Sequence, residues 1–181
     1  MGFIEETGAG QYYRYARIIT IYEGTTGIQA NDLVGRKTVR DAGATAHLVA
    51  AQIDKVAAHL ASHADPSLNA IGLRLAAATA ALQNAIDWML TSYPANPRAA
   101  YAGAVPYLKL WGVVAGGWHM ARAAKVAVDK LARGEGDAAF MRAKIATARF
   151  YAESMLPLAD AYAQSVVSGS PTVLALGADQ F

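Results

Sequence analysis

Leu68, Leu75, Leu82 and Met89 recur every seven residues, with Ile71, Ala78 and Ala85 on the adjoining row. That spacing draws an apolar seam along one helix and requires partner helices to cover it, the pattern of a left-handed bundle. Three further segments carry helical stripes. Residues 40 to 63 place Val49, Ile53, Val56 and Leu60 at steps of three and four. A third stripe runs through Tyr107, Trp111, Val114, Trp118, Ala121, Val128 and Leu131. A fourth uses Ala148, Tyr151, Met155, Leu158, Tyr162 and Val166. The fold class is therefore all-α: an up-and-down four-helix bundle over residues 40–170, a tail over 171–181, and a separate helical segment over 1–39.

Breakers separate the stripes. Asp65-Pro66-Ser67 divides the first from the second, and Pro94-Ala95-Asn96-Pro97 ends the second near residue 92. Arg133-Gly134-Glu135-Gly136-Asp137 is a turn with Asp137 as helix N-cap. Pro157 lies inside the fourth stripe, which continues on both sides of it, so a kink rather than an end is expected there. Gly112, Gly116 and Gly117 would each cost a helix roughly 1 kcal/mol relative to alanine. They are tolerable where a neighbouring helix or the large tryptophans need close approach.

Apolar residues make up 54% of the 181, although alanine is the commonest residue and much of that figure is helix former rather than bulky core. No apolar run reaches the ~18 residues that span a bilayer. No basic n-region is followed by an apolar h-region. With no cysteine there is neither a disulfide framework nor a thiolate site. Sixteen basic and 14 acidic residues give +2 without a long run of one sign, so nothing favours nucleic acid. The expectation is a cytoplasmic helical piece.

Residues 18–29 read Ile-Ile-Thr-Ile-Tyr-Glu-Gly-Thr-Thr-Gly-Ile-Gln. Glu23 follows an apolar run and precedes a Gly-Thr-Thr-Gly turn that opens a helical pattern with Ile28, Leu33 and Val34 as apolar positions. A carboxylate desolvated on such a turn has a raised pKa and can act as a base near neutrality. The same placement also suits a helix-start acid interacting with the macrodipole.

Gly2-Phe3-Ile4-Glu5-Glu6-Thr7-Gly8, Tyr13-Arg14-Tyr15-Ala16-Arg17-Ile18 and Ile21-Tyr22-Glu23-Gly24-Thr25-Thr26-Gly27-Ile28-Gln29 together resemble the end of the catalytic part of acyl-CoA dehydrogenases. The resemblance implies that Glu23 removes the α-proton of an acyl-CoA thioester while a hydride leaves Cβ for FAD. It implies that Gly24 lies against the thioester and that Thr25, Thr26 and Gly27 sit beside the flavin. Tyr15 stands where the family usually has Asp, and Gly27 where many members have Gln. The four stripes, with Glu153-Ser154-Met155-Leu156-Pro157 and Gly177-Ala178-Asp179-Gln180-Phe181, resemble the acetyl-CoA dehydrogenase-like C-terminal domain of one branch of that family. The resemblance implies that about two-thirds of such an enzyme lies before this segment. The chain is thus expected to be a C-terminal fragment that binds no FAD and is inactive alone. The intact enzyme would act on an acyl-CoA with electron-transfer flavoprotein or a similar acceptor, as a homo-oligomer. The alternative is a stand-alone, non-catalytic bundle for oligomerisation or partner binding.

Other candidates are weaker. His59 and His63 stand one helical turn apart, but no third ligand is spaced to complete a metal site, so no metal is assigned. His119 beside Trp118 reads as an interior or interface residue. No glutamate is followed by His three residues later, as a di-iron bundle requires. The Trp111/Trp118 and Tyr151/Tyr162 rows read as core rather than as a cofactor slot.

Overall fold

Side-chain caps start two of the long helices. In the computed structural model, which describes residues 5–21 and 25–180, Asp65 caps the central helix α4 (Pro66–Ala95). Its carboxylate accepts from the backbone N–H of Ser67 (2.9 Å) and Leu68 (3.1 Å), while Pro66 takes a first-turn position that needs no donor. Asp137 does the same for α7 (Ala138–Ser154), accepting from Ala139 and Phe140. Between them, Asn96 caps the short α5 (Pro97–Ala102), and Gly103 leads into α6 (Ala104–Ala132).

Ahead of α4 lie α1 (Ala9–Ile21), α2 (Thr25–Asp32), a π-helical segment (Leu33–Val39) and α3 (Ala44–Ala61). Behind α7 come α8 (Leu158–Ser168) and α9 (Ser170–Val173). No strand occurs among the described residues. Helix α4 packs against α3, α6, α7 and α8, and α6 closes the bundle against α7, α8 and α3.

The seven-residue row is the core. Leu68, Leu75, Leu82 and Met89 are fully buried, as is Ala85, and Ile71 and Ala78 are nearly so. Each fully buried leucine contributes about 1.5–3 kcal/mol relative to exposure. On α3 the buried line is Ala46, Ala50, Ile53, Ala57 and Leu60, with Val49 and Val56 only half-buried at its edge. Small residues hold the centre because α3 and α4 come very close. A Cβ on Gly72 would stand 2.6 Å from the Leu60 carbonyl carbon and 2.8 Å from the Ala57 oxygen, both backbone atoms that cannot rotate away. Gly116 and Gly117 serve the contact of α6 with the segment from α7. A Cβ at 116 would lie 2.9 Å from Tyr151 Cζ, and one at 117 would lie 2.5 Å from Leu156 Cδ2. Gly112 faces open space and makes room for nothing.

Two expectations are corrected. The first concerns α3, which begins at Ala44 rather than at 40, because Ala42 (φ 53°) and Gly43 (φ 79°) both enter the left-handed region and end the preceding π-helical segment. The Gly43 N–H donates back to the Thr38 carbonyl, and Asp41 accepts from the Thr45 backbone and hydroxyl. The second concerns Pro157, which interrupts rather than kinks. Pro157 lacks the N–H that would continue the ladder. The chain crosses from α7 to α8 through residues 155–157, with Leu158 N–H donating to Met155 and Leu156 N–H to Tyr151. The crossing shifts the buried line to Ala148, Ala152, Leu156, Ala159 and Val166 and leaves Leu158 exposed.

At the front of the chain, Ala30 and Val34 are fully buried in the same cluster as α3, α4 and α6. Helix α1 has no buried residue, and Tyr12, Ile18 and Ile21 on it are exposed, whereas residues 30–39 are part of the bundle.

Gly72→Ala is expected to cost about 1–3 kcal/mol by overpacking against backbone. Gly112→Ala is expected to gain about 0.5–1 kcal/mol from helix propensity. At about 2–4 °C per kcal/mol for a chain of this size, thermal melts distinguish the two directions. Equal melting points would contradict the helix contact described.

Candidate functional site

The segment that carries the sequence motif enters the fold at the start of α2. Glu23 and Gly24 lie outside the described residues, and Thr25 begins the helix. Thr26 and Gly27 follow in the first turn, both exposed, and a Cβ built on Gly27 would meet none of the described residues within 4 Å. Among the described residues nothing covers the face beyond Gly27. Downstream, α2 packs against α6, and Ala30 is the first of its residues to be fully buried.

Three tyrosines from three helices hold the π-helical segment that continues α2. Tyr107 of α6 is fully buried, and its hydroxyl shares a hydrogen bond of 3.1 Å with the buried Thr38 hydroxyl. Tyr101 of α5 reaches over Gly35, where a Cβ would stand 2.8 Å from its hydroxyl oxygen. Tyr93 of α4 meets Tyr101 edge-on, with ring centroids 5.5 Å apart and hydroxyls 3.0 Å apart. Arg36, at the basic end of the segment, pairs with Asp32 at 2.8 Å. The sequence reading passed over this clamp. The available signal was Gly35 and Thr38 standing among Val34, Arg36, Lys37 and Val39, a small and a polar residue one turn apart.

Burial pushes the Tyr107 phenol above its ordinary pKa, with the Thr38 hydrogen bond opposing. The Tyr101 phenol is raised too, first by its hydrogen bond with Tyr93. The surface carboxyls that shift go the other way: Arg14 lowers Glu5, Lys125 lowers Asp129 and Arg133 lowers Glu135.

The remaining sequence candidates resolve into structural roles. His63 Nδ1 accepts from the Asp65 N–H at 3.0 Å, and the His59 carbonyl accepts from the Ser62 hydroxyl, so both help finish α3. Among the described residues no three His, Asp or Glu side chains gather as metal ligands would. His119, expected inside or at an interface, is exposed against the Trp118 ring at 5.3 Å, because its position on α6 turns away from the buried line of Val114, Gly117 and Ala121. Trp111 packs edge-on to Tyr107 at 6.4 Å. Tyr151 donates to the Val113 carbonyl at 3.1 Å.

A helical bundle of this layout matches a known family along most of its length: residues 49–177 fit the family described as acetyl-CoA dehydrogenase C-terminal like. The chain belongs to that family. Among its relatives is the 3-methylmercaptopropionyl-CoA dehydrogenase of Ruegeria pomeroyi, 49% identical over 156 residues that cover 86% of this chain and 26% of the relative. The broad-specificity linear acyl-CoA dehydrogenase FadE5 of Mycobacterium tuberculosis is 35% identical over 165 residues, covering 87% of this chain and 27% of the relative. The butyryl-CoA dehydrogenase of Syntrophomonas wolfei is 33% identical over 159 residues, covering 86% and 26%. The chain thus spans about a quarter of the length of these relatives, and the matched part is their C-terminal portion.

The raised phenol gives this family member an alkaline signature. A folded state that keeps Tyr107 protonated has its full stability below about pH 10 and loses part of it as pH rises beyond that value. Tyr107→Phe is expected to remove part of the alkaline decline while costing about 1 kcal/mol at neutral pH, where Thr38 loses its partner. Denaturant midpoints at pH 8 and pH 10.5 check both effects. Identical alkaline losses in the two proteins would place the origin elsewhere.

Proposed function

We propose that the chain is the C-terminal part of an FAD-dependent acyl-CoA dehydrogenase, in which Glu23 is the base that takes the α-proton of the acyl-CoA thioester. The observation that supports this most directly is the family membership of residues 49–177 together with relatives whose names are acyl-CoA dehydrogenases. The motif of residues 21–29 adds the chemistry: a lone carboxylate between an apolar run and a glycine turn.

The residues present fit one edge of a flavin site. Thr26 and Gly27 leave an open, exposed first turn on α2, which a flat group can approach from outside. When bound, FAD supplies the acceptor for the hydride that leaves Cβ. Thr25, Thr26 and Gly27 offer backbone and hydroxyl contacts at that edge, and Gly24, without a side chain, lets the thioester lie close to the turn. Glu23 holds the abstracted proton on its carboxylate. Any enclosing walls, the acyl specificity, the electron acceptor (electron-transfer flavoprotein or similar) and the assembly into a homo-oligomer belong to the larger protein, so the chain alone is inactive in this reading.

The test rejoins this chain to the N-terminal part of a related enzyme. Glu23→Gln keeps shape and hydrogen bonding but removes the base. It is expected to lower turnover by about 10²- to 10⁴-fold with FAD content and acyl-CoA binding nearly unchanged. Thr25→Ala is expected to weaken FAD retention more than proton transfer. Full turnover in the Gln protein would leave Glu23 as a helix-start acid only.

A further inference from the structure

The C-terminal half of α6 and the first turns of α7 border a groove of about 460 Å³, within the range of small-molecule sites. Its lining is mostly apolar, with Val126, Ala127, Phe140 and Met141, and it also carries Arg122, Lys130 and Lys144. No carboxylate lines it.

Two of these cations are held by rings. Arg122 lies 5.4 Å over the Trp118 ring, and Lys144 Nζ lies 5.1 Å over the Phe140 ring. A ring face orients a cation without cancelling its charge, whereas a carboxylate partner cancels it. The ion pairs that form among the described residues use Arg14, Arg36, Lys125, Arg133, Arg149 and His47, not Arg122 or Lys144. Asp137, at the start of α7, is committed to capping Ala139 and Phe140. Lys130 shares the field of Glu135 and is the most compensated of the three. A second groove of about 340 Å³ lies between α3 and α6, floored by Val56 and Leu60. It meets the first at Arg122 and Val126, and that valine is 54% exposed on the ridge between them.

We propose that the α6–α7 groove binds a phosphomonoester carrying an apolar body. Arg122 and Lys144 reach the phosphate from opposite walls, and Lys130 adds a third positive charge. Three cations around one head suit a dianion better than a single carboxylate. The guanidinium fork of Arg122 matches phosphate geometry. The apolar body covers Phe140, Met141 and Val126, which are otherwise left to water. None of these residues belongs to the Glu23 segment, so the site stands or falls independently of the proposed base.

Calorimetric titration of the 181-residue chain with octyl phosphate, kept below its micelle concentration, tests the site. Saturable binding is expected, much tighter than to inorganic phosphate or octanol alone. Arg122→Gln and Lys144→Gln are each expected to weaken it by about tenfold or more, the loss typical of a hydrogen bond to a charged group. Arg142→Gln, on the exposed side of α7 and outside the groove, is expected to leave it unchanged. Thermal melts of each variant confirm that the fold persists. Should Arg122→Gln disturb the Trp118 packing, Lys144→Gln on the other wall carries the test. Octyl phosphate binding no tighter than inorganic phosphate would overturn the proposal, as would binding unchanged in both groove variants. Binding to vesicles containing phosphatidic acid without binding to the monomeric amphiphile would overturn it in favour of a membrane surface.

Discussion

Helices α3 and α4 meet where residue 72 has no side chain, and the rest of the bundle is arranged around that contact. The backbone of residues 57–61 lies so near α4 that only hydrogen fits at position 72. Alanines 46, 50 and 57 on α3 are buried, so that helix adds little side-chain bulk of its own. Close approach lets many weak dispersion contacts form between small groups, so the core gains density without many large side chains. Helices α6, α7 and α8 also pack on α4.

The aromatic residues work at the rim of this small-residue core. Tyr107 fills the space beneath the π-helical segment, Tyr101 covers Gly35, and Tyr151 crosses Gly116 to reach a carbonyl on α6. In each case a large ring from one element lies across another where the second element has little side chain of its own. All three rings also pair their hydroxyls across elements, which makes the contacts directional as well as apolar.

Much of this was legible in the sequence. The seven-residue row from Leu68 to Met89 is the buried line of α4, and Asp137 caps α7 as its position before an apolar stripe implies. Periodicity and caps are local signals, and both survived folding. What the sequence concealed depends on partners. Gly72 carries no local mark that separates it from Gly112, although one is pressed against backbone and the other faces space. Pro157 is consistent with a kink or a stop, and only the packing of Leu156 and Ala159 in place of Leu158 decides between them. In the candidate site, the motif around Glu23 is visible as residues, whereas the tyrosines that hold the helix after it stand 58 to 69 residues from the residues they cover (93 and 101 against 35, 107 against 38) and cannot be assembled from spacing.

The burial of residues 30–39 bears on how such a bundle can be recombined. A module grafted from residue 40 onward would arrive without Ala30, Val34 and Thr38, exposing the apolar wall they cover and leaving the Tyr107 hydroxyl without its Thr38 partner. The transferable unit therefore includes the strap from residue 30, which continues α2. Shuffling that joins a new bundle to an old preceding segment at this seam would have to inherit both sides of the strap together, so the bundle and the segment before it are expected to diverge as a linked pair rather than as interchangeable blocks.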